Sequence, residues 1–234
     1  MKQIGLVGGL SWISTAEYYR LINVMVRKEL GGHRSARMLV DSLDEQTFLD
    51  AQAADPSEIV PEAQIVDSVA RLSGAGAEVV ALCANGLHRF VPAITKRTGV
   101  NVVDIAEATA TAVSQAGLTR VGLLGVRRTM EGEFYRRCFE ELGITVIVPD
   151  ESTRSYVHDA IIDELTLGHF TDQTKTKFLE ICKGLVNLGA EAVVLGCTEI
   201  PLLLDNSADG EFPLFSTTEI HCQAIVQAAL GVSM

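Results

Sequence analysis

The chain has 234 residues, of which 47% are hydrophobic and 21% are charged. These values are typical of a globular enzyme and exclude an intrinsically disordered protein. The net charge of −11 argues against nucleic acid and anionic membranes as partners. Five cysteines, without a short-loop framework, favour a reduced cytoplasmic protein over a disulfide scaffold. The chain shows no signal-peptide pattern and its apolar runs have strand length, so we expect no membrane segment.

Short apolar runs alternate with longer amphipathic stretches, a pattern that predicts an α/β protein. The predicted strands, in chain order, are 4–7, 37–40, 78–82, 101–104, 121–125, 144–148, 191–195 and 213–215. The predicted helices are 14–30, 61–72, 107–115, 174–188 and 221–230. We expect Ser14 or Thr15 near the N-cap of the first helix and Gly31 and Gly32 past its end.

The sequence contains an internal duplication. Segment 76–85 recurs at 189–198, an offset of 189 − 76 = 113, and two strand pairs recur at offsets of 117 (121 − 4) and 112 (213 − 101). A period of this length predicts two pseudo-symmetric α/β lobes with mainly parallel, buried sheets. We place the first lobe at 1–98 plus 213–234 and the second at 99–212. Ligands bind outside the carboxyl ends of such strands, so we expect the active site in the cleft between the lobes.

Cys197 is the strongest candidate for a reactive residue. It follows an apolar run and Gly196, and the polar residues Thr198 and Glu199 come next. At the end of a parallel strand we expect the thiol to point into the crevice, and a helix N-terminus after it is expected to lower its pKa. The alternative is a buried structural cysteine, a common fate for this residue type.

The first copy of the repeat lacks a matching thiol, because Cys197 aligns with Ala84 (197 − 113 = 84) and not with Cys83. Since side chains alternate across a strand, Cys83 should point to the other side and pack in a core. Asn85 can hydrogen bond a carboxylate or orient a thiol, and Gly86 leaves a backbone N–H open to a ligand. His88 is either a helix-surface residue or lies near the site.

Two further loops are candidate anion sites. The Gly-rich segment 5–12 lacks the G-x-G-x-x-G pattern, and it either binds a small carboxylate or forms a tight turn. Its counterpart in the second lobe contains Arg127 and Arg128, which either bind a substrate carboxylate or remain solvated. No pattern of metal ligands with useful spacing occurs, so we expect no metal.

Segments 4–12 with 14–15 and 18–23, 74–88, 125–135 and 196–200 together resemble the aspartate/glutamate racemase family over essentially the whole length. The resemblance implies an isomerase that uses neither pyridoxal phosphate nor another cofactor, and it implies a homodimer. It also implies a two-base mechanism, in which one cysteine removes the α-proton and a second cysteine returns a proton to the other face.

By this resemblance the second site, Cys197-Thr198, is intact, whereas the usual Cys-Asn-Thr of the first site is replaced by 84–86. By analogy with the family the substrate-binding residues include Gln52 and the loop residues around Leu10. We add to them four residues at the strand ends, namely Asn85, Gly86, Thr198 and Glu199. The basic residues that bind the side-chain carboxylate in other branches are not evident in this chain.

Three hypotheses follow. The first is an amino-acid racemase acting on aspartate, glutamate or a similar acidic amino acid through Cys197, with reduced or one-sided activity because of Ala84. The second is a single-cysteine decarboxylase or lyase of the same superfamily, because one thiol suffices to protonate a stabilised enolate. The third is a non-catalytic binder of acidic amino acids.

Overall fold

The computed structural model describes residues 1–204 and 211–232. The chain divides into two compact units, the first comprising Met1–Asp104 with His221–Met234 and the second comprising Ile105–Ile220. Each unit contains a four-stranded sheet in which every described strand pair is parallel. The predicted fold class, two α/β lobes with parallel sheets, is therefore confirmed.

The first sheet has the strand order β2-β1-β3-β4. Its strands are β1 (Ile4–Gly8), β2 (Met38–Ser42), β3 (Val79–Leu82) and β4 (Val102–Val103), and the helices in this part are α1 (Trp12–Leu30), α2 (Glu45–Ala54), α3 (Ile59–Gly74) and α4 (Val91–Thr98). A 3₁₀ helix, Asn85–Phe90, follows β3 directly. The central strands β1 and β3 are buried along their whole length, as expected for a parallel sheet with helices on both faces.

The second sheet repeats this order as β6-β5-β7-β8. Its strands are β5 (Arg120–Leu124), β6 (Thr145–Ile147), β7 (Ala192–Leu195) and β8 (Leu214–Ser216). The remaining helices are α5 (Ile105–Gln115), α6 (Arg127–Glu131), α7 (Glu133–Glu140), α8 (Glu151–Asp163), α9 (Asp172–Asn187), α10 (Ile200–Leu203) and α11 (Thr217–Leu230), with a short 3₁₀ helix at Leu165–Leu167. Two hydrophobic clusters pack in this unit, and Cys197 belongs to one of them.

The boundaries between the units differ from those expected from the sequence. Val102 of β4 pairs with Val80 of β3, and Leu214 of β8 pairs with Val193 of β7. The expected boundaries, 98/99 and 212/213, had assigned these two short strands to the opposite lobes. The two strands are equivalent in the repeat, so the apolar pattern cannot distinguish them, and backbone hydrogen bonds to the preceding strand decide where each belongs.

Candidate active site

Cys197 lies at the carboxyl edge of the second sheet, two residues after β7 ends, and is only 8% exposed. Its Sγ donates a hydrogen bond of 3.0 Å to Oε2 of Glu199. Oγ1 of Thr198 donates to the same oxygen at 2.7 Å. The three consecutive residues therefore form one buried cluster, in which a carboxylate accepts hydrogen bonds from a thiol and a hydroxyl.

The expected lowering of the Cys197 pKa is wrong. The pKa of this thiol is raised well above its ordinary value, first by burial and then by the charge of Glu199 and the hydrogen bond to it. The helix that follows, α10, has four residues and begins at Ile200, so it offers little dipole to oppose these effects. Cys197 therefore rests as a protonated thiol whose hydrogen already points at a carboxylate.

The corresponding segment of the first unit has no thiol at the aligned position. Ala84 is half-buried and packs against the hydrophobic cluster on one face of the sheet, which includes Leu82 and Phe90. Cys83 packs in the cluster on the opposite face, with Tyr18 and Cys222. Burial raises the pKa of Cys83 far above its ordinary value. Core packing was the interpretation favoured for Cys83, and the structure confirms it.

The loop after Ala84 is held by an ion pair that the sequence did not reveal. Asn85 is buried and begins the 3₁₀ helix Asn85–Phe90. Arg89 donates a hydrogen bond to the carbonyl of Gly86, and its Nε and Nη2 each lie 2.9 Å from the carboxylate of Glu58. Glu58 is 31 positions away in the sequence, so this pairing depends on tertiary structure. The arginine is thereby committed to holding the loop.

The two strand-to-helix loops use several of their polar groups internally. The N–H of Gly9 donates to Oγ1 of Thr15 at 2.8 Å, an interaction typical of a tight turn. Leu10 packs against an apolar cluster, and Gln52 lies half-buried in α2. In the second unit Arg127 contacts Glu131 and Ser155.

A match over residues 7–225 connects the chain to the model of the Asp/Glu/hydantoin racemases. The chain belongs to the Asp/Glu/hydantoin racemase family. A candidate Asp/Glu racemase from Yersinia pestis is 38% identical, with a TM-score of 0.89 over 98% of this chain and 100% of the other. An aspartate racemase homologue from Pyrococcus horikoshii is 28% identical, with a TM-score of 0.83 over the same shares.

The fold is also shared more widely than the racemases. A double mutant of arylmalonate decarboxylase superposes with a TM-score of 0.56 at 13% identity, over 100% of this chain and 94% of the other. At this identity the likeness concerns the fold alone. Family membership thus identifies the scaffold, and the residues of the site must indicate the chemistry.

A buried histidine pair is a feature of this racemase-family protein that the sequence did not reveal. His88 and His221 lie edge to face with ring centroids 5.2 Å apart. Nε2 of His221 lies 2.8 Å from the carbonyl of Val103, which only accepts, so Nε2 carries the hydrogen. Its Nδ1 therefore accepts from the Tyr18 hydroxyl at 2.7 Å. Burial lowers the pKa of His221 to about 3, which agrees with a neutral ring.

The sequence left open whether His88 lies on a helix surface or near the site. The structure excludes a helix-surface position, because His88 is buried. Its Nε2 lies 3.3 Å from the carbonyl of Leu82, and its Nδ1 lies 3.7 Å from Asp104. The ring thus links the end of β3 to the residue after β4, just beside the segment that contains Ala84. Its role in the structure is to hold this loop in place.

Residues 1–204 and 211–232 contain neither a cluster of metal ligands nor a helix that could span a membrane. Within these residues no group of three or more His, Cys, Asp or Glu side chains could hold a metal ion. Among the helices of the same residues, none has the length and apolar character needed to cross a bilayer.

Proposed function

We propose that this protein is a cofactor-independent racemase-type enzyme that moves the α-proton of aspartate, glutamate or a similar acidic amino acid through Cys197. The observation that carries the proposal is the hydrogen bond from the Cys197 thiol to the buried carboxylate of Glu199. A thiol in contact with a base is a group that both accepts and delivers a proton. Membership of the racemase family supports this reading.

The proton transfer proceeds in two steps. The Cys197 thiol passes its proton to Glu199, and the resulting thiolate takes the α-proton of the substrate. The electron pair of the broken C–H bond stays on the substrate and delocalises into its α-carboxylate. In the reverse direction the thiol returns a proton to the same carbon. Because burial disfavours the thiolate, it should form only transiently, when a substrate is bound.

The second base is where this chain departs from a symmetric racemase. Ala84, the residue at the position of the first base, carries no group that can donate or accept a proton. Catalysis through Cys197 alone exchanges the α-proton of one enantiomer with solvent and inverts the centre slowly. We therefore propose one-sided activity. Asn85 and Gly86 in the first unit, and Thr198 in the second, are proposed to bind the substrate, together with Leu10 and Gln52.

The experiment that tests the proposal is α-proton exchange in D₂O, followed by NMR, with each enantiomer of aspartate and of glutamate. We expect deuterium to enter one enantiomer of at least one substrate much faster than that substrate inverts. Cys197→Ser should abolish the exchange, and Cys138→Ser, which changes a buried cysteine of α7, should leave it intact. Equal exchange by the Cys197→Ser variant, or none by the native protein, would refute the proposal.

A decarboxylase is the second candidate, and the single protonated thiol favours it. Loss of CO₂ from a malonate-like acid leaves an enolate that needs one proton on one face, which Cys197 supplies without a partner. The same set of assays distinguishes the candidates when substituted malonates are added. Release of CO₂ that depends on Cys197, without α-proton exchange of any amino acid, would favour the decarboxylase. Calorimetric binding of the amino acids without either reaction would indicate a binding protein.

We also propose that the protein forms a homodimer. In α1, the side chains of Trp12 and Tyr19 lie seven residues apart, hence on one side of the helix, and are 67% and 57% exposed. Exposed aromatic side chains are enriched in protein interfaces. Light scattering should give a mass near twice 25.2 kDa, and Trp12→Glu with Tyr19→Glu should shift it toward the monomer. A native monomer at micromolar concentration would contradict the proposal.

A further inference from the structure

Two buried hydroxyls without a hydrogen-bond partner lie in the segments that flank the loop of Cys197. Within residues 1–204 and 211–232 three such side chains occur, namely Ser68, Thr129 and Thr218. Thr129 lies in α6, which follows β5, and Thr218 is the second residue of α11, which follows β8. Because β7 lies between β5 and β8, these two hydroxyls belong to the segments on either side of the loop that carries Cys197.

Thr129 packs directly against that loop. A methyl group added to Gly196 would lie 2.9 Å from Cγ2 of Thr129, and one added to Gly125 would lie at the same distance. The threonine therefore covers two glycines, the second of which immediately precedes Cys197. Thr129 is fully buried, so its hydroxyl is as inaccessible to bulk water as the thiol.

The first unit contains a counterpart that is fully satisfied. Thr15 covers Gly8, the glycine that ends β1, with its Cγ2 2.5 Å from the position of an added methyl group. Its hydroxyl accepts from the N–H of Gly9 at 2.8 Å and donates to the carbonyl of Ser11 at 3.0 Å. The same packing role thus leaves Thr15 with two hydrogen bonds and Thr129 with none.

Other helical threonines of this chain also satisfy themselves. Thr98, Thr109 and Thr176 each donate to the carbonyl four residues earlier, at 2.6 to 2.8 Å. This local bond is the ordinary solution for a threonine in a helix. This local bond is not open to Thr129, because Gly125, four residues before it, precedes the N-cap Val126 and lies outside α6, and the Thr129 hydroxyl has no other partner. Buried polar groups are normally paired, so an unpaired one in a native protein calls for an explanation, of which a ligand-binding role is one.

We propose that the hydroxyl of Thr129, with Thr218 on the other side of the loop, donates a hydrogen bond to a carboxylate oxygen of the substrate at Cys197. The inference rests on the proposed function. Glu199 already places one negative charge beside the thiol, so a second carboxylate needs donors there. A carboxylate only accepts hydrogen bonds, whereas a threonine hydroxyl donates one. The bound carboxylate thereby supplies the partner that the protein lacks.

The test compares unfolding temperature with kinetics in Thr129→Val, which keeps the shape and removes the hydroxyl. We expect its Tm to equal or exceed that of the native protein, because no internal hydrogen bond is lost. Its kcat/KM for α-proton exchange of aspartate or glutamate should fall by about 10- to 100-fold, the effect of one hydrogen bond to a charged group. Thr218→Val should behave similarly, and Thr129→Ser, which retains the hydroxyl, should stay within about threefold of the native rate.

Two further variants serve as controls. Thr15→Val removes two hydrogen bonds, so its Tm should fall by about 4–8 °C. Ser68→Ala removes an unpaired hydroxyl from α3. This variant should not lower the Tm and should leave the exchange kinetics unchanged. A native exchange rate in Thr129→Val would overturn the inference while the proposed function stands. A fall in Tm like that of Thr15→Val would also overturn it. No exchange by the native protein would refute the proposed function, and this inference with it.

Discussion

Ala84→Cys is expected to raise the rate at which aspartate or glutamate is inverted by about 10²- to 10⁴-fold, the usual contribution of a positioned acid or base. The aligned repeat matches residue 84 to Cys197 of the second unit. Ala84 is half-buried and precedes the 3₁₀ helix that follows β3. A thiol at residue 84 is expected to supply the second acid or base, which acts on the other face of the substrate's α-carbon. Polarimetry or chiral chromatography would follow the inversion, and NMR in D₂O would follow the exchange.

Two variants separate a gained thiol from other effects of the substitution. Ala84→Ser has nearly the same size but carries a group too weakly acidic to return a proton efficiently, so we expect little gain from it. Cys83→Ala tests the neighbouring cysteine, which is fully buried among apolar side chains and should contribute nothing to inversion. If Ala84→Cys folds and binds substrate but inverts it no faster than the native protein, the alignment of residue 84 with Cys197 is wrong.

The sequence predicted the central parts of both sheets because their strands are continuous apolar runs. Ile4–Gly8 and Ala192–Leu195 are buried at every position, so burial and apolar pattern coincide. The duplication added the prediction that the strands of the second sheet correspond to those of the first. The pattern was weakest at the edge strands, where Val102–Val103 has two half-buried residues and gives no sign of which sheet it joins.

Two of the helices that the sequence did not predict share a physical reason. Glu151–Asp163 and Glu45–Ala54 bury few side chains, so their apolar spacing is irregular. Each begins with an aspartate N-cap that accepts a hydrogen bond from the backbone, at Asp150 and Asp44 respectively. These caps are local signals that can be read from a sequence. The start of α1 was misplaced for a related reason, because Ser11, and not Ser14 or Thr15, is its N-cap.

For the candidate site, the sequence shows which residues adjoin Cys197, but it did not predict the protonation state of the Cys197 thiol. Cys197, Thr198 and Glu199 are consecutive in the sequence, and the repeat aligns Ala84 with Cys197. The direction in which the pKa of Cys197 shifts depends on burial and on the orientation of the Glu199 carboxylate. The spacing of residues in the sequence encodes neither. The pairing of Arg89 with Glu58 and the unpaired hydroxyl of Thr129 likewise depend on tertiary contacts.

Glu199→Gln is expected to separate the acidity of Cys197 from its usefulness as a base. Burial raises the pKa of Cys197 first and the charge of Glu199 adds to it, so removing the charge should lower that pKa without restoring its ordinary value. The thiolate then forms at lower pH than in the native protein. The exchange rate should nevertheless fall by about 10²- to 10³-fold, because a neutral amide cannot accept the proton from the thiol.

The measurement combines ultraviolet absorbance of the thiolate against pH, with Cys197→Ser as the blank, and the pH profile of exchange. The thiolate absorbance should rise at lower pH in Glu199→Gln than in the native protein, while the plateau of the exchange profile drops. Glu191→Gln is the matched control, because it removes the same charge just before β7, where the Glu191 carboxylate accepts hydrogen bonds from Thr119 and Arg120. This control should leave both curves in place. If Glu199→Gln shifts the thiol titration but keeps the native plateau, Glu199 tunes Cys197 without accepting its proton, since a carboxylate that merely raises a pKa can be lost without loss of rate.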